Sequence, residues 1–227
     1  MEHKTYRGKI LYIGDDAGER GREWFTLTCH SSGERTLRTL SEIDESQILR
    51  DTVMSFDGRW KPLDAFVRLT VKDRFIGSGW YKFFDQGAEC QTFTADGGRI
   101  SQKMAFEDYP PSFAAHSLAG DIWLTGAFDR TNNESVQTIE PILMSSLLPD
   151  GSSGPMLGRT ELSMEYLGKE DITVPAGTFE ADHFRYLLAN MDLPDEDVWC
   201  FGEDLIFVKA RWDLYSTTYE LVALESL

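Results

Sequence analysis

Apolar and polar residues alternate with a period of two along most of the chain, and turn-forming residues interrupt the alternation about every ten residues. In residues 62–74, Ala65, Val67 and Leu69 form an apolar face opposite a mostly polar one. This period is typical of β-strands with one buried face. The strands it predicts are residues 6–13, 23–30, 35–43, 48–56, 62–74, 76–85, 88–95, 99–106, 122–128, 159–167, 171–174, 179–189, 197–201, 205–211 and 217–223.

The alternation breaks where two prolines follow Tyr109. Ser112 can cap a helix and Gly120 can end one, so we expect one or two short helices near residues 112–118. Residues 136–147 fit either a strand or a helix, and residues 149–158 have the composition of a loop. No regular exchange of strands and long helices occurs, which disfavours a parallel α/β sheet.

An antiparallel all-β fold therefore remains, either a sandwich or a curled barrel. Glycines within a strand permit sharp bends and close backbone approach, and residues 76–85 contain Gly77 and Gly79. These positions favour a barrel or half-barrel. The chain has 227 residues, a length that a single β domain often reaches, so we expect one domain over residues 1–227.

Charge excludes several kinds of partner. The formal net charge is −16, and residues 76–227 supply all of it, with nine basic and twenty-five acidic side chains. Such a surface repels nucleic acids and anionic lipids. No apolar run is long enough to span a membrane, and the first residues lack the apolar core of a signal peptide, so we expect a cytoplasmic protein. A homodimer is left open.

Neither cysteines nor known motifs point to a cofactor. Cys29, Cys90 and Cys200 are far apart, with no C-x-x-C pair, and the four histidines are scattered. We therefore expect no disulfide framework and no metal site. The chain has no nucleotide-binding glycine motif and no catalytic-serine motif, so we expect no cofactor. The acidic residues 192–197 are interpreted as a solvated loop.

Several polar side chains fall on faces that the alternation marks as buried. Gln102 shares a face with Ile100 and Met104, and His183 and Arg185 share one with Phe179 and Leu187. Such groups need partners inside, because an unsatisfied one costs about 1–3 kcal/mol. An ion-pair network is the alternative for His183 with Arg185, and a backbone partner is the alternative for Gln102.

A second group of candidates depends on position and ring chemistry. Arg50 lies on a strand whose inner face the sequence leaves ambiguous, and His116 lies in the irregular segment that interrupts the strands. Such segments often cover the end of a barrel and reach a ligand. Aromatic side chains suit a flat apolar ligand, although a large core explains them equally well. The aromatic candidates are Trp80, Tyr81, Tyr109, Trp123 and Trp199.

The stretch YLGKEDITVPAGTFEA, at residues 166–181, carries the pattern G-x-E-x-x-x-V-P-A-G-x-F-x-A. It resembles a signature of an uncharacterised bacterial β-roll family, and the resemblance covers about the last third of the chain. The resemblance implies a curved antiparallel sheet with the shape of calycins and lipoprotein-carrier half-barrels. It implies no chemistry.

Two functions fit these observations. The first is the binding of an apolar or aromatic small molecule in a central cavity, with Gln102, Arg50 and the aromatic side chains around it. The alternative is a cofactor-independent lyase, isomerase or hydratase acting on an aromatic or polycyclic substrate. In that case His183 or His116 moves a proton, and Tyr81 or Tyr109 is a second donor. Arg185 or Arg50 then holds a carboxylate, a phenolate or a developing oxyanion.

Overall fold

The computed structural model describes residues 3–227, in which fifteen strands form one continuous sheet. The strands are β1 (His3–Gly14), β2 (Glu19–His30), β3 (Arg35–Ile43), β4 (Ile48–Phe56), β5 (Pro62–Val71), β6 (Arg74–Phe84), β7 (Gly87–Thr94), β8 (Gly98–Ala105), β9 (Ser112–Ala114), β10 (Val136–Met144), β11 (Gly158–Val174), β12 (Gly177–Leu187), β13 (Glu196–Phe201), β14 (Ile206–Trp212) and β15 (Thr217–Ser226). One short α-helix, α1, spans Leu118–Asp121, and 3₁₀ turns span Ile122–Ala127, Ala189–Met191 and Asp213–Tyr215.

Almost every strand pairs with its neighbour in sequence. The order across the sheet is β8 to β1, then β15 to β9, because β1 and β15 pair at the centre. The described pairs are antiparallel except for β9 with β10. The sheet curls around its core and stays open, with β8 and β9 as its two edges. The prediction of an all-β, antiparallel, curled sheet is confirmed.

Two predicted strand boundaries are wrong because turns and bulges escape the period-two pattern. Residues 62–74 contain a two-residue turn at Lys72 and Asp73, both with positive φ, so β5 ends at Val71 and β6 begins at Arg74. Residues 159–167 and 171–174 belong to one strand, β11. Its register shifts beside Gly168, which has a φ of 106°.

The segment after the two prolines also differs from the expectation. Ser112–Ala114 is a strand that pairs in parallel with Ile142–Met144, so the expected short helix is present but lies a few residues further on, at Leu118–Asp121. The helix begins only after Ser117 and continues into the 3₁₀ turn at Ile122–Ala127, where a strand was predicted. The residues at the start of this 3₁₀ turn, 122–125, are buried, so apolar side chains suit the turn as well as they suit a strand.

Residues 112–128, which we call the inner segment, lie inside the curl of the sheet. Phe113 packs against Tyr81 and Phe83 at ring distances of 4.9 and 5.0 Å, and Trp123 meets Phe56 at 5.1 Å. The inner segment also contacts β3, β13 and β14. The hydrophobic core therefore forms between the concave face of the sheet and a segment built from a short strand, a short helix and a 3₁₀ turn.

Glu23 of β2 anchors the inner segment to the sheet. Its side chain is fully buried, and its two oxygens accept hydrogen bonds from the amides of Leu118 and Ala119, at 3.0 and 2.8 Å. The hydroxyls of Ser41 and Tyr12 donate to the same carboxylate, at 2.7 and 3.3 Å. The first amides of a helix lack partners within the helix, so a buried helix start needs such an acceptor.

We expect Glu23→Gln to destabilise the protein by about 2–4 kcal/mol, because the new amide group faces donors that need an acceptor. Tyr12→Phe removes only the longest of the four hydrogen bonds. It should cost about 1 kcal/mol or less. Urea denaturation of both variants measures the difference. Equal destabilisation by the two substitutions would contradict the anchoring role of the carboxylate.

Candidate functional site

A cavity of about 710 Å³ lies between the inner segment and strands β10 to β15. Most of its lining is apolar or aromatic, including Ile142, Leu162, Leu188 and Phe207. The concave face of the sheet supplies one wall, and the inner segment supplies the opposite wall through Ala114, His116, Leu118, Asp121, Ile122 and Leu124. The predicted central cavity is thus present, on the C-terminal side of the sheet.

The loop of residues 145–157, which we call the rim loop, borders the opening of the cavity. Its residues 146–150 line the cavity, and Leu147 and Leu148 are exposed there. On the other side of the loop, Pro155 packs against β6 at Gly79. A Cβ added at Gly79 would lie 3.1 Å from the Cβ of Pro155, so glycine at this position allows the rim loop to approach β6 closely.

Tyr81 and Gln102, two predicted site residues, fasten the rim loop. The Tyr81 hydroxyl donates to the carbonyl of Met156 at 3.2 Å. The Gln102 side chain donates to the Leu157 carbonyl at 3.2 Å and accepts from the Leu157 amide at 2.9 Å. Neither side chain lines the cavity. Gln102 therefore has a backbone hydrogen-bond partner, which was the alternative to a role in the site.

His116 lies in the inner segment and lines the cavity, as the sequence suggested. It has a φ of 58°, an uncommon backbone conformation that functional sites often contain. Arg50 stabilises this bend, because its guanidinium donates to the carbonyls of Ala115 and His116 at 3.2 and 3.1 Å. Arg50 is 1% exposed, so its side of β4 is the one that faces inward. Its side chain does not line the cavity.

Burial lowers the pKa of His116 to about 3, and the nearby Arg50 cation lowers it further in the same direction. The imidazole is therefore neutral at physiological pH. Its Nδ1 lies 3.3 Å from the hydroxyl of Ser145. A neutral histidine can accept or donate a hydrogen bond to a molecule in the cavity.

Two carboxyl groups face the same cavity, Asp121 from α1 and Glu196 from β13. Burial raises the pKa of Asp121 to about 7, with a further contribution from Glu23. Burial likewise raises the pKa of Glu196 to about 8, with contributions from Asp121 and Asp197. Tyr186 joins them, since its hydroxyl donates to the backbone carbonyl of Asp121 at 3.1 Å.

His183 and Arg185 lie on the outer face of β12, so the prediction that they point inward is wrong. The inward residues of this strand are Phe184 and Tyr186. The His183 ring lies 2.8 Å from Asp197, and the Arg185 guanidinium lies 3.1 Å from the same carboxylate. Apolar residues occur on both faces of β12, and this misled the pattern. The ion-pair alternative describes these contacts.

The remaining aromatic candidates also lie outside the cavity. Trp199 stacks on His183 on the outer face, with ring centres 4.2 Å apart, and Trp80 is 41% exposed on the outer face of β6. Trp123 is buried in the core against Phe56. The Tyr109 hydroxyl donates to the Pro62 carbonyl at 2.7 Å. Among the predicted site residues, His116 alone lines the cavity.

Two carboxyl groups and the aromatic side chains of the cavity are not among the residues predicted from the sequence. Glu196 falls in the predicted solvated loop of residues 192–197, yet it begins β13 and shares a face with Val198 and Cys200. That shared face is a signal in the sequence by which Glu196 can be found. The rings that line the cavity are Tyr12, Tyr186, Phe207, Trp212, Tyr215 and Tyr219.

Residues 3–227 hold no cluster of three or more His, Cys, Asp or Glu side chains with the geometry of a metal site. In the same residues, no helix has the length and apolar character needed to cross a membrane.

The architecture defines the class of the protein: it is a β-barrel-like protein with a curled, open sheet. A crystal structure of a β-barrel-like protein from Brucella abortus, of the domain of unknown function DUF1849, matches it with a TM-score of 0.55. The match covers 99% of this chain and 97% of the other at 11% identity, so it establishes a shared fold only.

A second solved structure, a DUF1089 family protein from Pseudomonas aeruginosa, has a TM-score of 0.40 and 11% identity, with coverage of 81% of this chain and 86% of the other. No family model and no curated protein matches the sequence. The fold shared with the Brucella abortus protein agrees with the curved antiparallel sheet that the resemblance to an uncharacterised β-roll family implies. Its sequence block forms the hairpin of β11 and β12, with Val174 opposite Gly177.

We expect the free energy of unfolding to fall by about 3 kcal/mol between pH 6.5 and 8.5. The pKa values of Asp121 and Glu196 are raised on folding, so their contribution is complete below about pH 4 and is lost as the pH passes 7 and 8. His116 has a lowered pKa and loses its contribution only below about pH 6.5.

Urea denaturation at the two pH values tests this expectation. The double variant Asp121→Asn, Glu196→Gln should flatten the dependence, and Glu203→Gln, in an exposed turn, should leave it unchanged. An equal slope in the double variant and the native protein would show that other groups are responsible.

Proposed function

We propose that this protein binds an apolar or aromatic small molecule in its central cavity. The cavity itself supports this proposal. Its volume is about 710 Å³, and its lining is mostly apolar. Ligand pockets commonly measure about 300–1,000 Å³ and combine such a lining with a few polar groups. His116, Asp121, Glu196 and Tyr186 are the polar groups available for orientation.

The borders of the cavity support entry of a ligand from outside. Four connections contribute residues to the cavity lining, namely the rim loop, the turn after β3, the segment between β12 and β13, and the turn before β15. Leu147 and Leu148 of the rim loop are 59% and 49% exposed, so apolar surface is available to a ligand at this border of the cavity. Loops around a rigid scaffold are usual places for binding residues.

One observation favours a second candidate, cofactor-independent catalysis on an aromatic or polycyclic substrate. Asp121 and Glu196 have pKa values of about 7 and 8, so each exchanges protons near neutral pH. A general acid or base works best when its pKa lies near the working pH. Tyr186 adds a hydroxyl on the same side of the cavity. The same groups serve a binding protein equally well.

A large side chain that fills part of the cavity should weaken the binding of an apolar ligand. Ala210 lines the cavity and is fully buried, whereas Ala223 is exposed on the neighbouring strand. We expect Ala210→Phe to weaken the binding of Nile red, a neutral apolar dye, at least tenfold, and Ala223→Phe to leave it unchanged. Native mass spectrometry of the purified protein would also identify a retained molecule. Absence of dye binding by the native protein would refute the proposal.

A mass measurement separates binding from catalysis. The molecule released from the cavity is incubated with fresh protein, and its mass is followed over time. Binding alone leaves the mass unchanged. Catalysis converts it, and Asp121→Asn should then slow conversion by about 10²–10⁴. His183→Ala is the matched control, because His183 lies on the outer face and should not affect the rate.

A further inference from the structure

Glu196 occupies a defined place on the cavity wall. In the antiparallel register it lies directly beside Tyr186 of β12 and Trp212 of β14, and Trp212 lies beside Thr217 of β15. All four residues line the cavity. Side chains in such a row have Cβ atoms about 4.5–5.5 Å apart. The carboxylate is therefore held between two aromatic side chains on adjacent strands.

No cation in residues 3–227 pairs with this carboxyl group. Glu196 has no hydrogen-bond donor and no cation within reach, and the charges that act on it are those of Asp121 and Asp197. The next residue on the same strand shows the contrast, because Asp197 meets both His183 and Arg185 on the outer face. Glu196 is half-buried and lines the cavity, and a cation placed beside it would favour its ionised form.

The titratable groups around Glu196 reinforce the need for a cation. Asp121 faces it from α1, while Tyr186 and Tyr219 interact with it from β12 and β15, and burial raises the pKa of both hydroxyls. None of these groups is cationic. Asp197 lies next to it in β13, on the opposite face of the sheet.

The arginines near the cavity already have hydrogen-bond or ion-pair partners other than Glu196. Arg20, which lines the opening, donates to the Tyr215 carbonyl at 3.2 Å and lies 3.4 Å from Glu45. His116 is neutral, and Arg50 is engaged with carbonyl groups behind the wall. The lining carboxyl groups are Glu45, Asp121, Asp150 and Glu196, against the single cation of Arg20.

The aromatic side chains around Glu196 suit a positive charge as well. The rings of Trp212 and Tyr215 meet edge to face at 5.2 Å, and those of Tyr12 and Tyr219 do so at 5.0 Å. The face of a tryptophan or tyrosine ring attracts a cation, by about 0.5–2 kcal/mol depending on its exposure to water.

We propose that the cavity binds an organic cation, an amine with an apolar or aromatic body, whose ammonium group pairs with Glu196 between Tyr186 and Trp212. The body of the amine lies against the apolar lining on the inner segment and β10 to β12. This inference rests on the proposed function and names the ligand class of the same cavity. The net charge of −16 attracts a cation toward the protein.

Three probes with the same ten-carbon chain test the ligand class: decylamine, decanol and decanoate. Isothermal titration calorimetry at pH 8.5, below micelle-forming concentrations, gives the affinities. We expect decylamine to bind at least ten times more tightly than decanol, and decanoate to bind most weakly. The ammonium stays charged at this pH, and the cavity carboxyl groups are largely ionised.

Glu196→Gln should weaken decylamine binding at least tenfold and leave decanol binding unchanged. Glu203→Gln removes the same charge from an exposed turn and should change neither affinity. Decanol binding also shows that each variant is folded with its cavity intact. Lowering the pH of the native protein to 6.5 tests the same carboxyl groups without a substitution and should weaken decylamine binding.

The outcomes separate the two proposals. Absence of binding by all three probes would overturn the proposed function and this inference together. Equal affinity for the three probes, or decylamine binding that Glu196→Gln leaves unchanged, would overturn the inference and leave the cavity a binding site for neutral apolar molecules. Preference for decylamine that disappears in Glu196→Gln but not in Glu203→Gln would support the inference.

Discussion

The buried carboxylate of Glu23 is the contact on which the cavity depends. The inner segment lies inside the sheet and consists of short elements, so the backbone groups at their ends need partners other than water. Glu23 accepts two of its amides at the start of α1. Arg50 donates to two carbonyls just before them, and Tyr186 donates to one at the end of the helix. These side chains come from β2, β4 and β12, so both halves of the sheet hold the segment.

This arrangement explains why one half of the interior is solid and the other is hollow. Toward β4 to β6, Phe113 and Trp123 fill the space against Phe56, Tyr81 and Phe83. Toward β10 to β15 the same segment presents Leu118, Ile122 and Leu124, and the opposing strands leave about 710 Å³ free. At its end, Phe128 packs on this half of the sheet against Tyr166 and Phe184, at 6.2 and 5.5 Å. The cavity is therefore the space left between these side chains and the strands opposite them.

The fold could be predicted from the sequence much better than the site. Alternation identifies which residues lie on strands, and the bounds of β3 and β4 agree with the prediction to the residue. The rule that a polar group on an apolar face needs a partner was applied to Gln102 and Arg50, which do contact the backbone. Applied to Glu23, on the face of Phe25 and Leu27, the same rule would have found the anchor of the inner segment.

The site was harder to predict because alternation says which side of a strand faces inward and not whether that side meets atoms or empty space. Glu196 shows this limit. Its side chain follows the alternation of β13 with Val198, yet its partner is missing from the described chain, whereas Glu23, on the same concave face of the sheet, has four donors. A buried carboxylate that the fold satisfies is structural. Glu196 is half-buried beside a cavity without a partner in the described chain, which directs attention to a molecule outside it, and its ionised form is complementary to a cation.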